Sequence, residues 1–259
     1  MTKYQYNAYI LGKVPREFQR PEIYQLKELG YKFDDAREIV DIFENKVAKF
    51  AGSIYAVATD CCSHAIFLAL EYIKRNGELD KWVQPMRLTI PRRTYISVPM
   101  QIMHAGFNVG YEDIEWSGVY QLKPTRIWDG AARWTKGMYV GNNALQTASF
   151  QFKKRVPIGK GGMILTDDYE AYKLLKLMSY DGRDLTVPYD DPHHIKTIGY
   201  HMYMTPEDAA RGIMLSSSAP TLRTTTRRAS EEGCLRGAKR EPARERPSAG
   251  NLLKEVACL

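Results

Sequence analysis

Ser149-Phe-Gln-Phe-Lys-Lys154 brings a hydroxyl and two amines together just past a short β-prone run. A glycine-rich turn follows, then a second apolar strand, Gly161-Gly-Met-Ile-Leu-Thr166. A lysine just off a strand end can be held at a desolvated site. There the ammonium is disfavoured, the pKa falls, and the neutral amine becomes a nucleophile toward a carbonyl.

Upstream residues could complete a site around that amine. Ile54-Tyr-Ala-Val-Ala-Thr59 reads as a buried strand, Asp60-Cys-Cys-Ser-His64 as a turn, and Ala65–Lys74 as a helix with apolar residues at helical spacing. That order presents free backbone N–H groups and a helix dipole to a phosphate. Ser63 either adds its hydroxyl or caps the helix. Leu88–Tyr95 reads as a strand running into a polar turn, with a helix from Val98 to Ala105 after it. Tyr95 either stacks on a planar ring or is an ordinary half-buried tyrosine. Arg126-Ile-Trp-Asp129 ends a strand on a carboxylate. Beside a pyridine nitrogen, Asp129 would keep that nitrogen protonated and the ring an electron sink; otherwise it caps the next turn. Phosphate turn, aromatic, carboxylate, serine and amine, in that order, suit pyridoxal 5'-phosphate held as a Schiff base.

From about Gly30 to Gly212 the chain resembles the DegT/DnrJ/StrS sugar aminotransferases, which are fold-type-I pyridoxal phosphate enzymes. The resemblance rests on Gly30-Tyr-Lys-Phe, the helix Ile39–Gly52, Tyr55-Ala-Val-Ala and Pro91-Arg-Arg-Thr-Tyr95. It continues through Trp128-Asp-Gly-Ala-Ala132, Ser149-Phe150 with Lys154, Gly161–Thr166 and Gly199-Tyr-His-Met-Tyr-Met-Thr205. It implies that Lys154 carries the Schiff base and moves the proton, with Lys153 as the alternative. It places Ser63 and Ser149 on the cofactor phosphate, Tyr95 on the ring face and Asp129 on the ring nitrogen. His64 stands where the family has Ser and contributes its backbone N–H. His201 stands where the family has an Asn that reaches the neighbouring subunit's cofactor.

The implied reaction is ping-pong transfer of an amino group, typically from glutamate, to a nucleotide-linked keto sugar in sugar and cell-surface polysaccharide biosynthesis. The implied assembly is a homodimer. Family members with His in place of the lysine run dehydrations, so Lys154 favours transamination. Besides His64 and His201, four further positions depart from the family: Cys62 for a glycine, Ala132 for Gln or His, Arg155 for Asn and Lys160 for Glu. Cys62 and Ala132, with the small domain expected to be missing, favour a rival reading, a catalytically silent relative that keeps the fold and binds a ligand or partner.

The implied fold is three-layer α/β/α with a mostly parallel sheet, the large domain of a pyridoxal phosphate-dependent transferase. Alternating strands and helices from Ile54 to Ser179 support it independently. We expect an N-terminal segment at 1–34, the cofactor-binding large domain at 35–215 and a basic tail at 216–259. The tail has no Phe, Tyr or Trp and favours Arg over Lys, so it is expected to be disordered. The helix begun at Pro206 loses the family pattern after Leu215, and the small C-terminal domain is expected to be missing.

The net charge of +7 over 259 residues raises nucleic acid as a third reading. It ranks last, because arginines without interleaved aromatics give electrostatic attraction without base stacking. No apolar run reaches the roughly 20 residues of a membrane span. No signal peptide is read at Met1, and four scattered cysteines fit a reducing cytoplasm. There is no Cys-x-x-Cys spacing. Tyr189-Asp-Asp-Pro-His-His194 reads as a solvated loop, and no residue is assigned to a metal.

Overall fold

Residues 55–59 are apolar on both faces: Val57 enters one core, Ala56 and Ala58 another. A strand buried on both sides needs a covering layer on each. The computed structural model, which describes residues 20–78, 86–188 and 190–218, supplies both. The helices are α1 (Glu22–Glu28), α2 (Glu38–Ala51), α3 (Cys62–Arg75), α4 (Ser97–His104), α5 (Tyr169–Ser179) and α6 (Pro206–Ser218). The strands are β1 (Tyr55–Thr59), β2 (Arg87–Pro91), β3 (Asn108–Glu112), β4 (Tyr120–Gln121), β5 (Ile127–Asp129), β6 (Leu145–Ser149) and β7 (Gly162–Thr166).

The main sheet has the order β1-β7-β6-β5-β4, and β2 and β3 form a parallel pair. Thr89 of β2 exchanges backbone hydrogen bonds with Lys123, just beyond β4, which brings that pair alongside the main sheet. β5 and β6 are parallel, and β7 is antiparallel to both β1 and β6. β1, β5 and β6 therefore share one direction, while β7 and the short β4 are reversed. The mostly parallel expectation holds for the strands that carry the candidate site, with β7 inserted against them.

On one face α3, α4 and α5 bury Leu68, Leu70, Ile102 and Leu175 against Ile164 of β7. On the other α1, α2 and α6 bury Leu26, Ile39, Phe43 and Ile213 against Met163 and Leu165 of the same strand. Each such side chain contributes roughly 1.5–3 kcal/mol of transfer free energy. α3 is apolar nearly all round, which is why it lies inward. α2 stops at Gly52, whose φ of 83° lets its N–H close on the Ala48 carbonyl in the left-handed conformation.

Sequence reading starts the helix after β1 at Ala65, whereas α3 begins at Cys62. Cys-Ser-His carries no apolar periodicity, so the first turn is invisible to a pattern of buried positions. The capping position is Cys61, in an extended conformation, which corrects the alternative that Ser63 is the cap. No helix among the described residues is long and apolar enough to cross a membrane. The expectations for residues 1–19, for Tyr189 and for the tail from 219 onward concern residues outside those described.

Candidate functional site

β1 delivers the chain to Asp60, and α3 leaves from Cys62. The Cys61 side chain does not cap the first turn of this 14-residue helix. An uncapped N-terminus leaves N–H groups and the positive end of the helix dipole to an anion. Gly162 backs this turn. It is in register with Thr59 on one side and Ser149 on the other. A Cβ there would lie 2.4 Å from the Cys61 carbonyl carbon and the Cys62 nitrogen. The absence of a side chain thus lets the turn, β7 and the end of β6 meet. The Asp60 N–H donates to the Met202 carbonyl at 2.9 Å, which ties residues 200–203 to the same turn.

The Ser63 hydroxyl donates to Ser97 Oγ at 2.7 Å, joining α3 to the start of α4. His64 Nδ1 lies 2.6 Å from Asp60 Oδ1, and Lys160 Nζ lies 3.2 Å from Asp60 Oδ2. The Asp60 contact, aided by Cys61, pushes the His64 imidazole up to about 9. Burial would raise the Asp60 carboxyl, but His64 and Lys160 outweigh it and hold it below its ordinary value.

Asp129 ends β5 and is buried. Its Oδ2 accepts from the Tyr120 hydroxyl at 2.6 Å, and its Oδ1 from the Ala131 N–H at 2.9 Å. The Tyr120 hydroxyl also contacts Thr94 Oγ1. Burial and the Asp129 charge keep the Tyr120 proton on far above the ordinary range. The Cys62 thiol bonds the Thr147 hydroxyl within the field of both Asp129 and Lys154. Burial and the Asp129 carboxylate push this thiol up, so it remains neutral.

The two lysines part company. Lys153 is exposed and sits over the Phe152 ring, 5.4 Å from its centroid. Lys154 is half-buried, and its N–H donates to the Gln151 carbonyl at 2.7 Å. Only Lys154 is among the charges that act on Cys62. Ser149 is half-buried at the end of β6, its Oγ 3.4 Å from the Gln151 N–H.

Ser63, His64, Asp129, Ser149 and Lys154 therefore gather at one end of the sheet. Tyr95 is 59% exposed, between Thr94 on the Asp129 network and Ser97 on Ser63. His201 lies at the rim. It is exposed, with Nδ1 3.0 Å from Asp181 and its ring edge-on to Tyr203. Sequence reasoning missed Tyr120, Thr94, Ser97 and Thr147. Thr147 had a signal, since it lies two residues before Ser149 and shares its face of β6. Tyr120 had none, because its pairing with Asp129 exists only across the short β4–β5 ladder. A separate cavity of about 530 Å³ lies between α2, α5 and residues 180–186. Its Lys176 is already paired with Asp41 and Glu44.

The profile of the DegT/DnrJ/EryC1/StrS aminotransferase family matches residues 130–229. That segment contains Ser149, Lys154 and His201, and the other candidates precede it. No curated protein matches in sequence. Among solved structures, the sugar aminotransferase CalS13 from Micromonospora echinospora superposes with a TM-score of 0.61 at 14% identity, over 76% of this chain and 64% of its own. The 3-amino-5-hydroxybenzoic acid synthase gives 0.59 at 20% identity, over 76% and 60%. A GDP-4-keto-6-deoxymannose-3-dehydratase, solved with a trapped PLP-glutamate geminal diamine, gives 0.55 at 16%, over 76% and 64%. The chain thus spans less than two thirds of the length of each. Residues 130–229 thus match the profile of that family, and the chain shares the fold of these solved structures.

Proposed function

We propose that this chain is a pyridoxal 5'-phosphate-dependent aminotransferase. It would move an amino group from an amino-acid donor, glutamate in the first instance, to a keto sugar carried on a nucleotide. One observation carries the reading. A half-buried Lys154, a buried Asp129 and an uncapped helix N-terminus flanked by Ser63 and Ser149 converge at the same end of the sheet.

The residues suit the group. The first N–H groups of α3, with the Ser63 and Ser149 hydroxyls, would hold its phosphate. Gly162 leaves the backbone room to approach. Asp129 would hold the proton on the ring nitrogen, and Tyr95 would cover a ring face. When bound, the cofactor supplies an electron sink for charge developing at the substrate carbon. Lys154 Nζ is the amine that would anchor it and, once freed, would take the proton from the substrate carbon and return it within each half-reaction. Tyr120 and the Ala131 N–H keep Asp129 oriented by donating to one carboxylate oxygen each. The family resemblance supports a homodimer, with His201 reaching toward the partner's site.

Cys62 favours a second reading, a relative that keeps the fold and binds without turnover. Its side chain stands beside Asp129 and Thr147, where the family resemblance places a glycine. Adding pyridoxal phosphate to the purified chain and following absorbance, with borohydride reduction and peptide mass mapping, separates the two. Aminotransferase chemistry requires a visible-edge band and a reduced adduct on Lys154, both absent in Lys154→Ala and retained in Lys153→Ala. A wild-type protein without either would favour the silent relative.

A further inference from the structure

We propose that Asp60, Cys61 and His64 form a transition-metal site, suited to Zn²⁺, on the outer side of the β1–α3 turn. Their ligand atoms, a carboxylate oxygen, Sγ and a ring nitrogen, all lie within 4.8 Å of one another. Three ligands around one tetrahedral ion need to be about that close or closer, given metal–ligand bonds of about 2.0–2.3 Å. The three residues are half-buried, so a fourth position is open to water.

The sequence hides this grouping because the ligands sit at i, i+1 and i+4. Asp60 follows β1 at the bend, and Cys61 enters α3 extended, with φ −160° and ψ 159°. His64 lies within the first turn of α3, which brings it back over Asp60 at 2.6 Å. The donor set selects the ion. One thiolate, one imidazole and one carboxylate suit Zn²⁺, whereas Mg²⁺ and Ca²⁺ require oxygen. Charge is consistent too. A dication with a thiolate and a carboxylate is locally neutral, so the positive end of α3 does not oppose it. Lys160 engages Asp60 Oδ2 and leaves Oδ1 facing His64. Cys62 is not a competitor, because its thiol turns inward to Thr147. On binding, the Cys61 thiol proton and any proton on the metal-binding nitrogen of His64 pass to solvent, leaving thiolate and imidazole as ligands. The site uses side chains of the turn, whereas the proposed cofactor seat uses its backbone N–H groups and Ser63, so either stands without the other.

The full chain, stripped with EDTA and desalted, is titrated with Co²⁺ and then challenged with Zn²⁺. One equivalent of Co²⁺ is expected to give a near-ultraviolet thiolate-to-cobalt band with four-coordinate visible bands, and Zn²⁺ to abolish them. Cys61→Ser should lose the near-ultraviolet band. His64→Ala should weaken binding by roughly tenfold or more, a scale that even outer-shell partners carry. Cys62→Ser, Cys234→Ser and Cys258→Ser should keep it. Alkylation of the wild-type chain, with peptide mapping, gives a readout that needs no variant: Zn²⁺ should protect Cys61. Absence of the band, its survival in Cys61→Ser, or a Cys61 that Zn²⁺ fails to protect would overturn the proposal.

Discussion

Tyr120 and Asp129 show how much of the site depends on contacts between single residues. The Tyr120 hydroxyl is buried, donates to the Asp129 carboxylate and stays protonated throughout the physiological range. A hydrogen bond to a charged group contributes about 1.5–3 kcal/mol, and the larger penalty comes from leaving the buried acceptor short of a donor. Tyr120→Phe keeps the ring and removes only that donor. Urea denaturation should show a loss of about 1.5–3 kcal/mol with unchanged far-ultraviolet circular dichroism; a variant as stable as wild type would mean that Asp129 finds an equal partner elsewhere. The placement of Lys154 and Asp129 was legible from sequence, because each sits at or just past the end of a β-prone run. Tyr120 and Thr94 were not, because their meaning lies in a contact that β4 and β5 create. Lys153 and Lys154 are chemically identical, and burial agrees with the resemblance in favouring Lys154.

Elements position these residues through their ends. Gly162 opens β7 against the backbone of Cys61 and Cys62, which is chain rather than a flexible side chain and cannot give way. Gly162→Ala should therefore push the turn off β7, costing about 1–3 kcal/mol, the usual scale of overpacking. It should also weaken pyridoxal phosphate binding, because the same turn carries the α3 N–H groups. Calorimetric unfolding together with a cofactor titration tests both.

At the other end of β7, Asp168 caps α5 by accepting from the Glu170 and Ala171 N–H groups and pairs with Arg126 at 2.9 Å. Burial would raise its carboxyl, but the capping N–H groups and Arg126 hold it below its ordinary 3.8. A depressed carboxyl contributes stability that is complete above the unfolded value and lost as pH falls past it. Asp168→Ala should thus cost about 0.5–2 kcal/mol at pH 7. The difference from wild type should shrink below about pH 4, as pH-dependent thermal unfolding would reveal. The strand–turn–helix order was readable from periodicity. The first turn of α3 and the two-residue β4 were not, since neither is long enough or apolar enough to show a period.

At the scale of the whole molecule, the three layers were legible because β1 and β7 are apolar on both faces, which forces helices onto each. What joins the layers around the sheet edge was not. Glu44 of α2 is buried and accepts from the Ala58 N–H of edge strand β1 at 2.7 Å. The same carboxylate receives Lys176 of α5 at 2.7 Å, and Asp41 receives that ammonium at 2.9 Å. One charged cluster therefore links a helix from each outer layer to the middle layer, across 132 residues of sequence that no local pattern connects. Burial alone would lower the Lys176 ammonium, but Glu44 and Asp41 outweigh it and hold it above its ordinary value, so it is charged at neutral pH.

Removing one member of a buried pair strands the other, at about 3–5 kcal/mol, whereas removing both charges can be nearly neutral. Lys176→Met should then destabilise by about that amount. Adding Glu44→Gln should restore at least half, because Gln still offers an acceptor to the Ala58 N–H without a charge to compensate. A double-mutant cycle on urea unfolding measures the coupling. A Lys176→Met loss below about 1 kcal/mol, the scale of an exposed pair, would show that solvent reaches Glu44 and that apolar packing alone holds the layers together.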